Sequence, residues 1–381
     1  MMKVLHLVKT SVGATWALRQ MRELRKLGLE VHVALPPDGP LVPGYRSADI
    51  VVHPFQFDFP TGKPWLSSKI CKDLCHLVAI IKPDIIHSHF VGTTLTMRLA
   101  LGKKHPIPRI FQVPGPLHLE QAFFRKAEIF TAGLSDYWIG SCRWTCQRYI
   151  RSGIPQDRLF LSYYGIDLDN FVGSVKGKLR EELKADNGTK LVGMVAYIYA
   201  PKRYLGQTRG IKGHEDFIDA LAICQKSIPD IRGVIIGGAW NNALGYERKV
   251  RSYAKEKCAD RICFVGTRDD VCALYSDLDV VVHPSHSENV GGAAESLILG
   301  VPTVATNVGG FPDLIKHNET GWLADKRDPV QLAEAISEAL LNPEHARDMA
   351  LKGQDLAKRL FDVRETARQV LRIYHAIYSG K

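Results

Sequence analysis

The sequence lacks any long hydrophobic run: none of its 381 residues belongs to an uninterrupted apolar stretch of the roughly 18–20 residues that a membrane-spanning helix needs. The apolar run in MMKVLHLVKTSVG is broken by Lys3 and Lys9. It is too short for a signal peptide and reads as a first buried strand. No G-x-G-x-x-G occurs, so the dinucleotide-binding fingerprint is absent. Cysteine is sparse, with eight residues and no disulfide framework. Cys71/Cys75 and Cys142/Cys146 have the i,i+4 spacing that sets two thiolates on one helix face. Neither has a tight second pair of Cys or His nearby, so both read as free thiols in a reducing cytoplasm rather than as zinc ligands.

What remains is an ordinary globular composition, 45% hydrophobic and 24% charged, at a length that suits two domains. The charge is uneven. Residues 1–180 hold 24 Lys and Arg against 13 Asp and Glu, whereas residues 181–381 hold 26 against 27. The whole positive excess lies in the first half. A basic face there would suit an anionic partner such as a lipid surface, a lipid-linked phosphate or nucleic acid. The same excess scattered over the surface would imply no partner.

Short apolar, β-branched runs alternate with helical patterns. VLHLV (4–8), VHVAL (31–35), DIVVHPF (49–55), IIHSHF (85–90), RIFQV (109–113) and YWIGS (137–141) make one series. LVGMVAYI (191–198), RGVIIGG (232–238), RICFVG (261–266), DVVVHPS (279–285), VPTVAT (301–306) and GWLAD (321–325) make a second. Continuous strands in βαβα order predict an α/β fold with two doubly wound parallel sheets. The irregular segment SYYGIDLDNFVGSVKGK (162–178) reads as the linker, and Pro329 to Gly380 reads as helical throughout. Ligands of such sheets bind beyond the carboxyl ends of the strands.

The unusual residues cluster there. After DVVVHPS comes HSENVGG, where Gly291-Gly292 permits close approach of backbone to a ligand. AAESLILG then starts a helix with Glu295 in its first turn, and VPTVAT leads to a second glycine-rich loop, NVGGFPD. A glycine loop entering a helix at a strand end can hold a diphosphate. Any one of these features alone would be a turn or a first-turn acid; the ordered set is more specific. Upstream, GMVAYIYAPKRYLGQTRGIKGHEDF carries a basic loop ending at Lys212-Gly213.

These segments resemble the large retaining glycosyltransferase family that includes sucrose synthase, bacterial glycogen synthase and phosphatidylinositol mannosyltransferases. The matching positions are Pro284-Ser285, Glu288, Gly291-Gly292, Glu295, Gly300-Val301-Pro302, Gly309-Gly310 and Pro312-Asp313. Six residues separate Glu288 from Glu295 where the family has seven. The resemblance implies the GT-B fold, two Rossmann-like domains facing a cleft. It implies that Glu295 binds the ribose hydroxyls, that Glu288 contacts the donor sugar, and that Asn289, Val290, Gly291 and Gly292 line the donor site. Lys212 would neutralise the departing diphosphate, with Arg209 preferred over Arg203 as its partner cation. Gly13 resembles the family's N-terminal glycine loop over the donor phosphate, and His118 the histidine near the reacting carbon.

The organisation expected is an acceptor-binding domain over 1–165, a linker over 166–180 and a donor-binding domain over 181–361, with the helix at about 362–381 packing back on the first domain. No metal or cofactor is expected beyond the nucleotide-sugar co-substrate. His87 and His89 share a strand face, but no further ligands are apparent; Asp167-Leu-Asp169 and Asp277-Leu-Asp279 lie in the linker and before a strand, not in a metal site. The expected acceptor is a lipid-linked saccharide for a cell-surface polysaccharide. It would be met in the cytoplasm at an anionic membrane surface, which the basic, aromatic stretch AFFRKAEIF (122–130) would contact. Nucleic acid is not an expected partner. The alternatives are transfer to a soluble small molecule such as an aminocyclitol, a nucleotide-sugar 2-epimerase and a non-catalytic nucleotide-sugar sensor; retention of Lys212, Glu288 and Glu295 argues against the last two.

Overall fold

A computed structural model describes residues 1–57, 66–171 and 176–379. Residues 172–175 of the expected linker and the final Gly380 of the helical tail lie outside the described residues. The chain divides into two compact units, Met1–Asp167 with Leu360–Lys381, and Leu168–Arg359.

The first unit is built on a seven-stranded parallel sheet. Its strands are β1 (Lys3–Leu7), β2 (Glu30–Leu35), β3 (Val51–Pro54), β4 (Ile85–Ser88), β5 (Arg109–Val113), β6 (Asp136–Gly140) and β7 (Leu159–Leu161), in the order β3-β2-β1-β4-β5-β6-β7. The short strand β7 was not anticipated, because LFL sits against the polar stretch Pro155–Arg158 and shows no alternation. Strands β4 and β5 are buried at every position, including the polar His87, Ser88, Arg109 and Gln112. The helix Val363–Ser379 presents Val363, Ala367, Val370, Tyr374 and Ile377 on one buried stripe. It packs against the helix Thr15–Lys26 and shares a core with Val4, Ala17 and Met21.

The second unit carries β8 (Lys190–Val195), β9 (Ile231–Ile236), β10 (Ile262–Gly266), β11 (Val280–His283), β12 (Thr303–Thr306) and β13 (Trp322–Ala324). All are parallel, in the order β10-β9-β8-β11-β12-β13. Its helices begin where local chemistry dictates. Asp328 caps the helix Pro329–Leu341 by accepting from the Val330 and Gln331 N–H groups at 3.1 and 3.0 Å, and Pro329 occupies the first turn, where a missing N–H costs nothing. Among the described residues no helix is long and apolar enough to cross a membrane.

One feature of the first core is ionic. Arg98, Arg109, Glu128 and Asp136 are wholly buried. Arg98 bonds Glu128 at 2.7 Å and Asp136 at 3.0 Å, while Arg109 bonds Asp136 at 2.6 Å. The Trp138 indole N–H donates to Glu128 at 2.8 Å. Two cations and two anions balance, so the cluster is tolerated; removing Asp136 leaves the buried Arg109 guanidinium without a carboxylate and Arg98 with Glu128 alone. Asp136→Ala should therefore destabilise the first unit by about 3–5 kcal/mol, measured as loss of far-UV ellipticity in urea; a change below about 1 kcal/mol would contradict this account.

Candidate active site

Strands β8 and β11 are neighbours, with Val192 opposite Val280 and Gly193 opposite Val281. The chain leaves β8 toward β9 on one side and returns to β11 on the other, so the loops after these two strands emerge side by side. The loop after β8 ends at Lys212-Gly213, ahead of the helix His214–Cys224. The loop after β11 runs through Glu288 to the helix Ala293–Ile298.

The two loops are tied together at three places. The Lys212 ammonium pairs with the Glu288 carboxylate. The His286 backbone N–H donates to the Ile211 carbonyl at 2.8 Å. The His286 ring bonds the Asp216 carboxylate, both nearly buried. Gly213 sits at φ +75°, and a Cβ there would overlap the Pro284 carbonyl oxygen. That position admits only glycine, and it lets the lysine loop close onto β11. Between the loops lies a small recess, with Lys212, His283, Pro284, Ser285, Glu288 and Gly292 on its walls.

The recess has one resident cation. Burial alone would lower the Lys212 pKa, but the Glu288 carboxylate more than offsets it and the net shift is upward, so Lys212 is an ammonium at neutral pH. The buried imidazoles nearby are neutral. Burial pushes His283 down to about 3 and His214 down to about 4. The His283 Nε2 lies 3.1 Å from the Ser296 hydroxyl, so this ring braces the helix Ala293–Ile298. Burial pushes the Asp216 carboxyl up, but His286 and Arg209 outweigh burial and its pKa is lowered.

The glycine loop is closely packed against Glu288. Gly291 stands at φ +51°, and a Cβ there would lie 2.9 Å from the Glu288 carboxyl carbon. Asn289 is nearly buried; its N–H donates to Glu288 Oε1 at 3.1 Å and its carbonyl accepts from Gly310 at 2.6 Å. The second glycine loop is thereby bound to the first. Val290 is buried and accepts from the Ala293 N–H at 3.3 Å. Glu295 lies in the first turn of its helix, where its charge contributes to raising the pKa of Tyr275 and of Cys272. That helix has six residues, so it offers a short macrodipole.

Not every candidate is gathered here. Arg209 is turned onto the helix His214–Cys224, where it bonds Asp216 and, at 2.7 Å, Asp219. The structure does not bring it to the Lys212–Glu288 pair. Arg203 is exposed in the 3-10 turn Arg203–Leu205. Gly13 (φ +73°) and His118 belong to the first unit. His118 is nearly buried, 3.3 Å from the Tyr149 hydroxyl, with its pKa lowered chiefly by burial. Sequence reasoning passed over His286 and Asp216. They are 70 residues apart, and the only sequence signal was the acid in GHED directly after Lys212-Gly213.

Comparison with known proteins completes the picture. Residues 203–355 match the family described as "Glycosyl transferases group 1", and residues 13–170 match "Glycosyltransferase Family 4". The chain is 29% identical over 366 residues to a D-inositol 3-phosphate glycosyltransferase of Segniliparus rotundus, covering 91% of this chain and 78% of that protein. It is 27% identical over 219 residues to the lipopolysaccharide core biosynthesis mannosyltransferase LpsB of Rhizobium meliloti, covering 56% of this chain and 60% of the other. Among solved structures, Anabaena HepE in complex with UDP superposes with a TM-score of 0.80 at 20% identity, over 98% of this chain and 99% of that one. One family matches each unit, and both units are parallel-sheet, Rossmann-like folds. The chain therefore belongs to the group 1 glycosyltransferases of the GT-B fold and is a glycosyltransferase enzyme.

Proposed function

We propose that this enzyme moves a hexose or N-acetylhexosamine, with retention of configuration and without a catalytic metal, from a UDP-sugar to an acceptor hydroxyl. The acceptor proposed is a lipid-linked saccharide in cell-surface polysaccharide synthesis. The observation that carries the donor half is the Lys212–Glu288 pair, set in a recess where β8 and β11 end. HepE, of similar fold, is solved with UDP. LpsB, a partial relative, acts in lipopolysaccharide core synthesis.

In this reading the donor diphosphate takes Lys212 from Glu288 and leaves that carboxylate to accept from a sugar hydroxyl. The sugar C1–O bond to the diphosphate breaks as the acceptor oxygen bonds C1 from the same face. The acceptor proton passes to the departing phosphate oxygen. Negative charge grows on that oxygen in the transition state, so Lys212 binds the transition state more strongly than the ground state. Glu295 holds the ribose, and Asn289, Val290, Gly291 and Gly292 shape the donor site. The bracing of Arg209 by two carboxylates favours a supporting role, leaving Arg203 to supply further positive charge. Gly13 and His118 are proposed as further donor contacts.

The membrane half rests on the helix Ala122–Phe130 and its surroundings. Phe123, Phe130 and Leu134 are each more than 70% exposed, beside Lys103, Arg125 and Lys126. Exposed rings among cations suit an anionic lipid interface. A second reading is favoured by the Segniliparus relative: a soluble, phosphorylated cyclitol acceptor, which a basic first half would attract.

A screen of UDP- and GDP-sugars tests the proposal, with nucleotide release measured against acceptors in anionic vesicles and against soluble cyclitol phosphates. The expected result is UDP release with a vesicle-borne saccharide, unchanged by added Mg2+ or Mn2+; preference for the cyclitol phosphate selects the second reading. Lys212→Ala should lower kcat by about 10^2–10^3 with unfolding unaltered, and a loss below tenfold would remove Lys212 from the diphosphate. Glu295→Ala should raise the donor KM about tenfold while kcat stays within about twofold; the opposite split would assign Glu295 to chemistry instead of binding.

A further inference from the structure

The first unit has its own strand-order reversal, between β1 and β4, and three histidines meet there. His6 on β1 stands opposite His87 on β4, and His89 follows two residues later on the same face. All three are fully buried. One ring nitrogen from each lies within 4.8 Å of the other two. The strand spacing of His87 and His89 had shown only two ligands; the parallel pairing of β1 with β4 supplies the third.

The hydrogen bonds decide which nitrogens carry protons. The three rings are fully buried, with ring nitrogens and tyrosine hydroxyls as their close hydrogen-bond partners, so each is neutral with one N–H. The Tyr164 hydroxyl donates to the Gln112 carbonyl at 3.2 Å, since a carbonyl can only accept. His89 Nδ1, 2.8 Å from that hydroxyl, is then the donor to it. His89 Nε2 is left as an acceptor, so His6 Nδ1 donates to it at 2.9 Å. His6 Nε2 is therefore a bare lone pair, buried and without a partner. His87 Nδ1 is 2.5 Å from the Tyr374 hydroxyl, and its buried Nε2 makes no close hydrogen bond, with the Gln112 side chain also acting on the ring.

A buried, unpartnered lone pair on His6 beside the ring nitrogens of His87 and His89 is costly as it stands and is what a metal ion uses. We infer that His6, His87 and His89 form a buried site for a borderline divalent cation such as Zn2+, separate from the donor recess. Neutral imidazoles without carboxylate or thiolate suit zinc, copper or nickel and not magnesium or calcium. Tyr164 and Tyr374 bond the opposite ring edges of His89 and His87, the outer-shell arrangement that orients metal-binding histidines. The three nitrogens must close to roughly 3.3 Å of one another for Zn–N bonds of about 2.0–2.1 Å. His6 turns out of its bond to His89 to do so. The ion would clamp β1 to β4 and, through Tyr374, hold the C-terminal helix on the first unit.

The test uses the untagged full-length chain, stripped by chelator dialysis and titrated with Zn2+ by calorimetry. One equivalent should bind with a dissociation constant in the micromolar range or below, and saturating zinc should raise Tm by roughly 5 °C or more. X-ray absorption of the zinc-loaded wild type should show imidazole nitrogens at about 2.0 Å and no sulfur. His6→Phe and His87→Phe should each abolish binding, while Cys71→Ser/Cys75→Ser should retain it. Absence of stoichiometric binding, sulfur in the shell, or binding that survives both His substitutions would overturn the assignment. If the His variants do not fold, the wild-type spectrum and stoichiometry decide alone.

Discussion

The constraint on which each unit depends is the reversal of strand order in its parallel sheet. In a right-handed parallel sheet every crossover must lie on a face, so the chain builds outward from a central strand in one direction and then returns to build in the other. At the reversal two neighbouring strands send their loops to opposite sides, and a crevice opens at their carboxyl ends. In the second unit this happens between β8 and β11, in the first between β1 and β4. Both places hold clustered polar groups: the partly buried Lys212–Glu288 pair in one, three buried histidines in the other.

The recess between β8 and β11 shows how much of such a site is support. Lys212 is useful only if its loop is held against β11, and three separate features hold it. Gly213 allows the contact with Pro284, His286 bonds the loop backbone, and the His286–Asp216 pair joins that loop to the helix behind. Asn289 performs the same service for the two glycine loops. In the Lys212–Glu288 pair two opposite charges, partly shielded from water, satisfy one another. Arg209 shows the same economy in the other direction, since two carboxylates on one helix face outcompete solvent for it.

The core beneath follows a different logic. Arg98, Arg109, Glu128 and Asp136 form a buried ionic set whose members come from two helices and two strands. Such a set gains little over apolar packing, but it fixes which partners meet, because any other register would bury an unpaired charge. The exposed rings of Phe123 and Phe130 lie on one of those same helices, so the buried face of Ala122–Phe130 is tightly specified while its outer face remains available.

The succession of strands along the chain, the two-sheet α/β class and the glycine-loop motif were legible in the sequence because they are local: β-branched runs, glycine loops and a first-turn acid follow from a few neighbouring residues. The short strand β7 was not, since three residues carry no period. Glu295 and Gly291-Gly292 could be assigned to one loop and helix start from their spacing alone. That Lys212 would meet Glu288, 76 residues away, and that Arg209 would turn to Asp216 and Asp219, depended on which loops the sheet order sets side by side. His6 makes the same point: a lone histidine in an apolar strand says nothing until parallel pairing puts it opposite His87. The sequence by itself determined the elements and the reaction class; the tertiary structure decided which charges and ring nitrogens face one another, because those contacts are made across strands and not along them.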